Sequence, residues 1–271
     1  MRDKVVIITG GSAGIGAAAA RYFAQRGAKL VLVGRRPEPL QQLADELAAE
    51  TEVLALALDV ADRSQWAALF EQSMARFGRI DVLVNNAGLH RRGDVANNDC
   101  DDLVQMMDVN LTAPIALSRL AIPYLRQSGG GAIVNVASLA GFTPIQGAAT
   151  YAAGKAGLRA FSYSLADELR DEGIHVGLVC PGPVDTGFIM NEISEVEGIV
   201  FAQPMSSAEQ VAAMVYRVAQ GEMVEAALPR VSALLATVGY LFPAIRRKLR
   251  PAMNRKGERN KQKYLARAAQ Q

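Results

Sequence analysis

The chain has 271 residues, of which half are hydrophobic and 21% are charged. Such a composition excludes a disordered chain, a collagen-like repeat and a small disulfide scaffold, and this length suits one large α/β domain. Two cysteines, Cys100 and Cys180, indicate reduced thiols in a cytoplasmic protein. Because there are only two histidines, a histidine-based zinc or haem site has too few ligands, and no metal is expected.

Charge is distributed unevenly along the chain. From Arg246 to Gln271 there are ten Lys/Arg and one acid, a net charge of +9, whereas the preceding residues hold 19 basic and 26 acidic side chains, a net charge of −7. The N-terminus lacks the apolar run of a secretory signal. The longest apolar run, Val231–Ile245, contains Gly239 and Pro243 and is shorter than the ~20 residues that cross a bilayer as a helix. A transmembrane protein is therefore not expected.

Seven short runs rich in β-branched residues alternate with segments of helical periodicity, a pattern typical of βαβ units and a parallel sheet. Strands are predicted at 4–9, 29–34, 52–58, 81–85, 131–137, 174–180 and 224–228. Helices are predicted at 15–26, 38–50, 63–77, 101–127, 150–172 and 207–220. The predicted fold class is α/β, a doubly wound parallel sheet of about seven strands in three α/β/α layers.

A glycine-rich turn joins the first strand to the first helix, over Thr9–Gly16. Glycines at such a junction let the backbone turn sharply and approach a pyrophosphate, while the helix N-terminus offers N–H groups and a positive dipole end. An ordinary glycine-rich turn would have the same composition. The position at the first strand–helix junction favours dinucleotide binding. The predicted contacts are Gly10, Ser12, Gly14, Ile15 and Gly16.

This turn, with its TGxxxGxG spacing, resembles the coenzyme turn of the short-chain dehydrogenase/reductase family. The resemblance extends over about residues 4–228 and implies a Rossmann-like fold and NAD(P)(H)-dependent oxidoreductase activity. It predicts a catalytic domain at 1–229, with a substrate lid at about 187–205, followed by a C-terminal apolar helix and basic tail at 230–271.

The end of the second strand bears on the choice of cofactor. An NAD site usually has an acid here, which would repel a 2′-phosphate, whereas this chain has Gly34 followed by Arg35 and Arg36. Because a guanidinium binds a phosphate through two parallel hydrogen bonds, NADPH/NADP is predicted over NAD, with Arg35 as the main contact and Ser12 or Arg36 assisting. Two solvated surface arginines are the alternative interpretation.

Further segments match the family's cofactor contacts. Asp59-Val60 resembles the pair that contacts the adenine, and Asn85–Gly88 resembles the NNAG element, whose amides hold the central sheet and whose small residues leave space for the ribose. Pro181–Thr186 resembles the PGxVxT segment at the nicotinamide. The residues expected to contact the cofactor in these segments are Asp59, Val60, Asn86, Ala87, Gly88, Pro181, Gly182, Val184 and Thr186.

Tyr151 and Lys155 lie four residues apart at the start of a predicted helix and so share one face. A neighbouring ammonium favours the phenolate, which would suit Tyr151 as a proton donor to a carbonyl oxygen. An amphipathic helix with an exposed lysine has the same spacing. The resemblance supplies the remaining roles: Ser138 bonds the substrate oxygen, Tyr151 and Lys155 also contact the cofactor, and Asn110 holds a water for proton relay to Lys155.

The family resemblance implies reduction of a ketone or aldehyde to an alcohol, or the reverse oxidation. Apolar residues of the lid predict a lipophilic substrate such as a steroid, a long-chain oxo-lipid or an aromatic ketone, unless they only pack the lid onto the body. They are Phe188, Ile189, Met190, Ile193, Ile199, Val200 and Phe201. A non-catalytic NADP-binding regulator or membrane-associated scaffold is the alternative function, because a fold does not prove chemistry.

The C-terminal region has two interpretations. Residues 231–267 rest on an anionic membrane surface, or the apolar helix covers the core or a dimer partner and the basic tail is a solvated, partly disordered end. Nucleic acid is not expected as a partner, since only Tyr264 could stack on bases there. The resemblance implies a homodimer formed through the helices at 101–127 and 150–172, or a homotetramer completed through the last strand.

Overall fold

Seven parallel strands form the central sheet of the computed structural model, which describes residues 1–268. They are β1 (Val5–Thr9), β2 (Lys29–Gly34), β3 (Val53–Ala57), β4 (Val82–Asn85), β5 (Gly131–Val136), β6 (Ile174–Pro181) and β9 (Glu225–Leu228). Their order across the sheet is β3-β2-β1-β4-β5-β6-β9. The order therefore reverses between β1 and β4, the kind of switch point at which open α/β sheets bind ligands at the carboxyl ends of their strands.

The predicted fold class is confirmed, and each strand lies within one residue of its predicted bounds. All five residues of β1 and five of the six residues of β2 are buried, as in a sheet covered on both faces. Because neither face of these strands meets water, Val, Ile and Leu can follow one another without alternating with polar residues.

Helices cover the sheet on both sides. They are α1 (Gly14–Ala24), α2 (Pro37–Leu47), α3 (Trp66–Phe77), α4 (Cys100–Met107), α5 (Ala113–Gln127), α6 (Ala149–Glu168), α7 (Gly187–Met190), α8 (Ala208–Ala219), α9 (Arg230–Leu241) and α10 (Pro243–Ala268). Helices α1, α2 and α8 bury their apolar sides in a core on one face, and α3, α5 and α6 do so on the other. This gives the predicted three layers.

The helix predicted at 101–127 is interrupted by one wide turn. Asp108–Thr112 forms a π-helical turn between α4 and α5. Pro114 explains where this happens, since it has no N–H to donate to the carbonyl of Asn110 four residues earlier. Such turns are frequent at functional sites, and this one contains Asn110.

The lid lies between two short strands, β7 (Val184–Asp185) and β8 (Ser206–Ser207), which pair in parallel. Its apolar residues form a small core of their own, made by Ile189, Ile193, Val196 and Phe201. The prediction of an apolar wall facing the substrate is therefore wrong for Ile189, Ile193 and Phe201, which are buried inside the lid. Phe188 differs, since 43% of it remains exposed.

The C-terminal region is helical as far as Ala268, so the alternative of a partly disordered tail is not what the described residues adopt. Helix α10 packs against the lid. Gly257 lies so close to the lid that an added Cβ would stand 1.8 Å from the carbonyl oxygen of Gly198. The buried Lys261 donates from Nζ to the carbonyl oxygens of Ser194 and Val196, at 2.9 and 2.7 Å. Within residues 1–268, no helix has the length and apolar character needed to cross a bilayer.

Candidate active site

The glycine-rich turn has a backbone that side chains would block. Gly10 and Gly14 have φ angles of 65° and 52°, in the left-handed region that favours glycine. A Cβ at Gly16 would stand 2.1 Å from the carbonyl oxygen of Gly10, so only glycine fits there. Helix α1 begins at Gly14 behind Ala13, whose methyl group cannot cap the first-turn N–H groups. The turn is thus shaped for an anionic ligand.

The NNAG segment is bonded directly to this turn. The Thr9 hydroxyl oxygen accepts from the backbone N–H groups of Asn86 and Ala87, both at 3.0 Å. In return, Asn86 Nδ2 donates to the carbonyl oxygens of Thr9 and Gly10, at 2.9 and 3.2 Å. These four bonds fix the ends of β1 and β4 beside each other at the switch point of the sheet.

The first asparagine of the NNAG segment has a structural role. Asn85 is buried at the end of β4 and donates from Nδ2 to the side-chain oxygen of Asn135 in β5, at 2.8 Å. Asn135 in turn donates to the hydroxyl of Ser162 in α6, also at 2.8 Å. As expected from the sequence, the amide holds neighbouring elements of the central sheet together.

A cavity of about 170 Å³ opens at this edge of the sheet. It is lined by Gly10, Ser12, Gly34, Arg35, Arg36, Leu58, Asp59, Val60, Ala87, Gly88, Leu89 and Val109. Nine of these were predicted cofactor contacts or lie at the position that decides the cofactor. The turn, the small residues and the two arginines together fit the adenosine and phosphate part of a dinucleotide.

The positive charges of Arg35 and Arg36 make the part of this cavity next to Gly34 favourable for an anion. Arg35 and Arg36 are exposed, and neither pairs with a carboxylate of residues 1–268. A Cβ at Gly34 would lie 3.4 Å from Ser12 Oγ, which places the Ser12 hydroxyl beside the arginines. Asp59 also lines the cavity, with Oδ1 accepting the N–H of Ala61 at 2.9 Å.

The predicted catalytic side chains lie together beyond the cavity. Ser138 follows β5, and its hydroxyl oxygen accepts the N–H of Ala140 at 3.1 Å, which caps a short 3-10 turn. Tyr151 stands in the first turn of α6, and Lys155 one turn later is only 3% exposed. Lys155 Nζ donates to the carbonyl oxygen of Val136 at 2.9 Å and lies 5.9 Å from the centroid of the Tyr151 ring.

Burial governs the protonation of this pair. Burial lowers the pKa of Lys155 to about 8, because the ammonium loses its hydration. Burial likewise raises the pKa of Tyr151, opposed by the neighbouring Ser138 hydroxyl and by the positive charge of Arg92. The lowering of the Tyr151 pKa by Lys155 that the family resemblance implies stays a prediction, and Arg92 is a second cation near the phenol.

The side chain of Asn110 is held by two hydrogen bonds to Leu89. Its Nδ2 donates to the carbonyl oxygen of Leu89 at 2.6 Å, and its Oδ1 accepts the Leu89 N–H at 3.1 Å. The side-chain amide therefore clamps the loop that follows the NNAG segment. Pro114 has no N–H to donate to the backbone carbonyl of Asn110, and the water expected at Asn110 for proton relay stays a prediction.

The segment Pro181–Thr186 reaches the same edge of the sheet. Gly182 donates its N–H to the carbonyl oxygen of Leu228 at 2.6 Å, which ties the segment to the end of β9. A Cβ at Gly14 would lie 3.4 Å from the side chain of Thr186, so Thr186 stands next to the glycine-rich turn. Val184, the first residue of β7, is buried.

Two residues at the site were missed by sequence reasoning, His90 and Arg92. The His90 ring stacks on Tyr151, with 4.3 Å between ring centroids and 19° between planes. Arg92 donates to the carbonyl oxygen of Phe188 at 2.9 Å and pairs with Glu192 at 3.1 Å, so it joins this loop to the lid. In the sequence, these two residues could have been recognised as site candidates from their position just after the NNAG segment.

Comparisons with known proteins agree with this geometry. Residues 4–197 match the family model described as short chain dehydrogenase. Sulfoacetaldehyde reductase 2 of Chromohalobacter salexigens is 38% identical over 69% of this chain and 75% of that protein. The 2,5-dichloro-2,5-cyclohexadiene-1,4-diol dehydrogenase LinX of Sphingobium indicum is 36% identical over 70% and 77%. The crystal structure of levodione reductase superposes with a TM-score of 0.76 and 29% identity, covering 84% of this chain and 95% of that one.

The buried lysine predicts a pH dependence of stability. Between pH 8 and 10.5 the unfolded chain holds a proton on Lys155 that the folded chain has released, so the free energy of unfolding rises with pH across this window. Replacing Lys155 by Met should remove this rise, which amounts to about 3 kcal/mol. Urea unfolding of both proteins from pH 7 to 10.5 measures it. Lys248→Met, which removes an exposed lysine, should keep the wild-type slope; an unchanged slope in Lys155→Met contradicts the prediction.

Proposed function

This chain belongs to the short-chain dehydrogenase/reductase family of oxidoreductases, and on that premise we propose that it reduces a lipophilic ketone or aldehyde with NADPH. The coarser activity, NAD(P)(H)-dependent interconversion of a small-molecule carbonyl and an alcohol, follows from the family. The proposal adds the cofactor preference, the substrate class and the roles of Asn110, Ser138, Tyr151 and Lys155.

One observation carries the proposal. Ser138 follows β5, and Tyr151 and Lys155 belong to α6. These side chains lie next to the cavity, since a Cβ at Gly88, which lines it, would stand 3.9 Å from Lys155 Nζ. Tyr151 is shielded from bulk water there by His90 and the lid. A non-catalytic regulator or scaffold would need the cavity but would have no use for a buried lysine beside a half-buried phenol.

In the proposed mechanism, the Ser138 hydroxyl binds the carbonyl oxygen and Tyr151 delivers a proton from its phenol to that oxygen. The nicotinamide, when bound, supplies the hydride. Lys155 replaces the proton of Tyr151, for which its lowered pKa near neutrality is suited. Water held by the backbone carbonyl of Asn110 would connect Lys155 to solvent.

Preference for NADPH rests on Arg35 and Arg36. Both arginines line the cavity, and Gly34 stands where an acid at the end of β2 would repel a 2′-phosphate. A charge-assisted pair with phosphate is stronger than a hydrogen bond between neutral groups. In this proposal Arg35 is the main contact, with Ser12 and Arg36 assisting.

An apolar substrate is supported by Phe188. This side chain is 43% exposed and its ring centroid lies 6.4 Å from that of Tyr151, so it offers an apolar surface beside the reacting group.

We place the protein in the cytoplasm as a homodimer or homotetramer, with peripheral contact to a membrane through residues 231–267.

The membrane contact is supported by the surface of α9 and α10. Ten large apolar side chains there are between 37% and 69% exposed: Val231, Leu234, Leu235, Val238, Tyr240, Leu241, Phe242, Ile245, Leu249 and Met253. Residues 229–257 include seven Lys/Arg and no acid. A cationic, apolar face fits an anionic bilayer, whereas a second copy of the same face would be repelled by like charge.

Tyr151→Phe tests the mechanism. Because the variant keeps the ring but loses the proton donor, kcat for ketone reduction should fall by about 100- to 10,000-fold, while the Kd for NADPH stays within a factor of two to three. Stopped-flow or steady-state NADPH oxidation and NADPH fluorescence titration measure the two quantities. Tyr163→Phe, the matched change elsewhere on α6, should retain activity; full activity in Tyr151→Phe would refute the mechanism.

Cofactor preference is tested by Arg35→Ser and by Arg35→Ser combined with Gly34→Asp. Loss of the phosphate contact should raise the Kd for NADPH by about 10- to 100-fold and leave that for NADH unchanged. The added acid should make NADH the better ligand. Arg170→Ser, an exposed arginine at the opposite edge of the sheet, is the control. If Arg35→Ser weakens both cofactors equally, the arginine does not bind the 2′-phosphate.

Membrane contact is tested by sedimentation with liposomes of phosphatidylcholine alone and with 30 mol% phosphatidylglycerol. The wild type should bind only the anionic vesicles. Arg247→Glu/Lys248→Glu and, separately, Leu234→Ser/Leu235→Ser should each reduce binding at least about tenfold. Arg119→Glu/Arg170→Glu has the same net charge as the first double variant and should bind like wild type. If the serine variant instead changes from dimer to monomer in gel filtration, a second copy covers this face.

A further inference from the structure

His90 lies over the Tyr151 ring, and the proposed mechanism gives it no contact with the substrate. His90 stacks on Tyr151, and Phe188 stands beside both rings, with centroid distances of 6.5 Å to His90 and 6.4 Å to Tyr151. His90 follows the NNAG segment by two residues and so lies between the predicted cofactor cavity and the lid. Its imidazole therefore lies beside the phenol that the proposed mechanism uses.

Arg92 fixes the tautomer of this imidazole. Arg92 Nη1 lies 3.1 Å from His90 Nδ1. Since a guanidinium can only donate, Nδ1 must accept, and the ring proton is carried by Nε2. Burial and the charge of Arg92 lower the pKa of His90 to about 4, so the ring is neutral at physiological pH. His90 thus presents an Nε2–H donor.

This donor has no partner in the part of the chain that the structure describes. His90 Nε2 is buried from solvent and forms no hydrogen bond with residues 1–268. A buried donor left unpaired is costly, by about 1–3 kcal/mol, and such an atom beside a reactive group indicates a bound acceptor. The ring is anchored by Arg92 and by stacking, so the donor keeps one orientation.

The surroundings identify the type of acceptor. Arg92 is 12% exposed at its side chain, its guanidinium is bonded to Phe188, Glu192 and His90, and the Glu192 carboxylate balances its charge. Because Glu192 already balances the charge of Arg92, a carboxylate bound here would be an uncompensated charge removed from water, so a neutral carbonyl oxygen suits the His90 N–H better. Since the His90 ring stacks on Tyr151, an oxygen bound by His90 would lie near the phenol.

We propose that His90 Nε2–H binds a second carbonyl oxygen of the substrate, so that the preferred substrates are dicarbonyl compounds such as β-keto esters rather than simple ketones. This inference rests on the proposed carbonyl reduction and names its substrate class. His90 would act as a binding residue that also orients the reacting carbonyl toward Tyr151, and Arg92 as the positioning residue that holds its tautomer.

The test compares ethyl 3-oxohexanoate with nonan-4-one, which has the same chain length and lacks the second carbonyl. The measured quantity is the ratio of kcat/KM for the two substrates, which cancels any general loss of activity. His90→Phe keeps a flat ring for stacking and removes the donor, and the ratio should fall by about 10- to 100-fold. His90→Gln retains an N–H and should recover part of it. His175→Gln, at the other histidine, should leave the ratio unchanged.

Three results would overturn the proposal. If the ratio is unchanged in His90→Phe, the ring serves only to pack against Tyr151. If His90→Phe raises the Kd for NADPH tenfold, the donor serves the cofactor. If long-range ¹H–¹⁵N spectra of the two histidines at pH 7 find His90 protonated or with its proton on Nδ1, the donor does not exist. This spectrum needs no turnover, so it separates failure of the proposal from failure of the proposed reaction.

Discussion

Loss of water around Tyr151 and Lys155 is the constraint on which the chemistry of this molecule depends. Burial favours the neutral forms of the phenol and the amine, so it raises the pKa of Tyr151 and lowers that of Lys155 to about 8. Lys155 is anchored on the carbonyl of Val136, so the pair keeps its geometry without a carboxylate. Any charge that develops on a substrate oxygen here would be stabilised more strongly than in water.

Exclusion of water is achieved by parts of the chain that lie far apart in sequence. The loop after β4 covers Tyr151 with His90, and Arg92 ties that loop to the lid through Phe188 and Glu192. The lid in turn has its own apolar core, which helix α10 supports through Gly257 and Lys261. The C-terminal helices therefore connect the exposed cationic surface to the cover of the site. A membrane bound at that surface would lie next to the lid.

Local rules predicted much of this fold because their physical causes are local. Strands rich in Val and Ile, such as β1 and β2, are buried on both faces and were recognised by composition alone. Gly10, Gly14 and Gly16 are required by backbone angles and a close approach within one turn. The break in the long helix was not predicted, although Pro114 marks it, because a proline early in a helix is also compatible with a regular start.

By itself, the sequence determined the parallel sheet, the cofactor turn and the residues gathered at its carboxyl edge, since each depends on spacing along one or two neighbouring elements. Tertiary structure decided that Arg92 lies near enough to Tyr151 to lower its pKa, that Asn110 clamps Leu89, and that Ile189, Ile193 and Phe201 turn inward. It also brought His90 over the phenol. These outcomes depend on contacts between segments up to about 100 residues apart, such as Arg92 with Glu192, and burial and electrostatic interaction exist only once such segments have packed together.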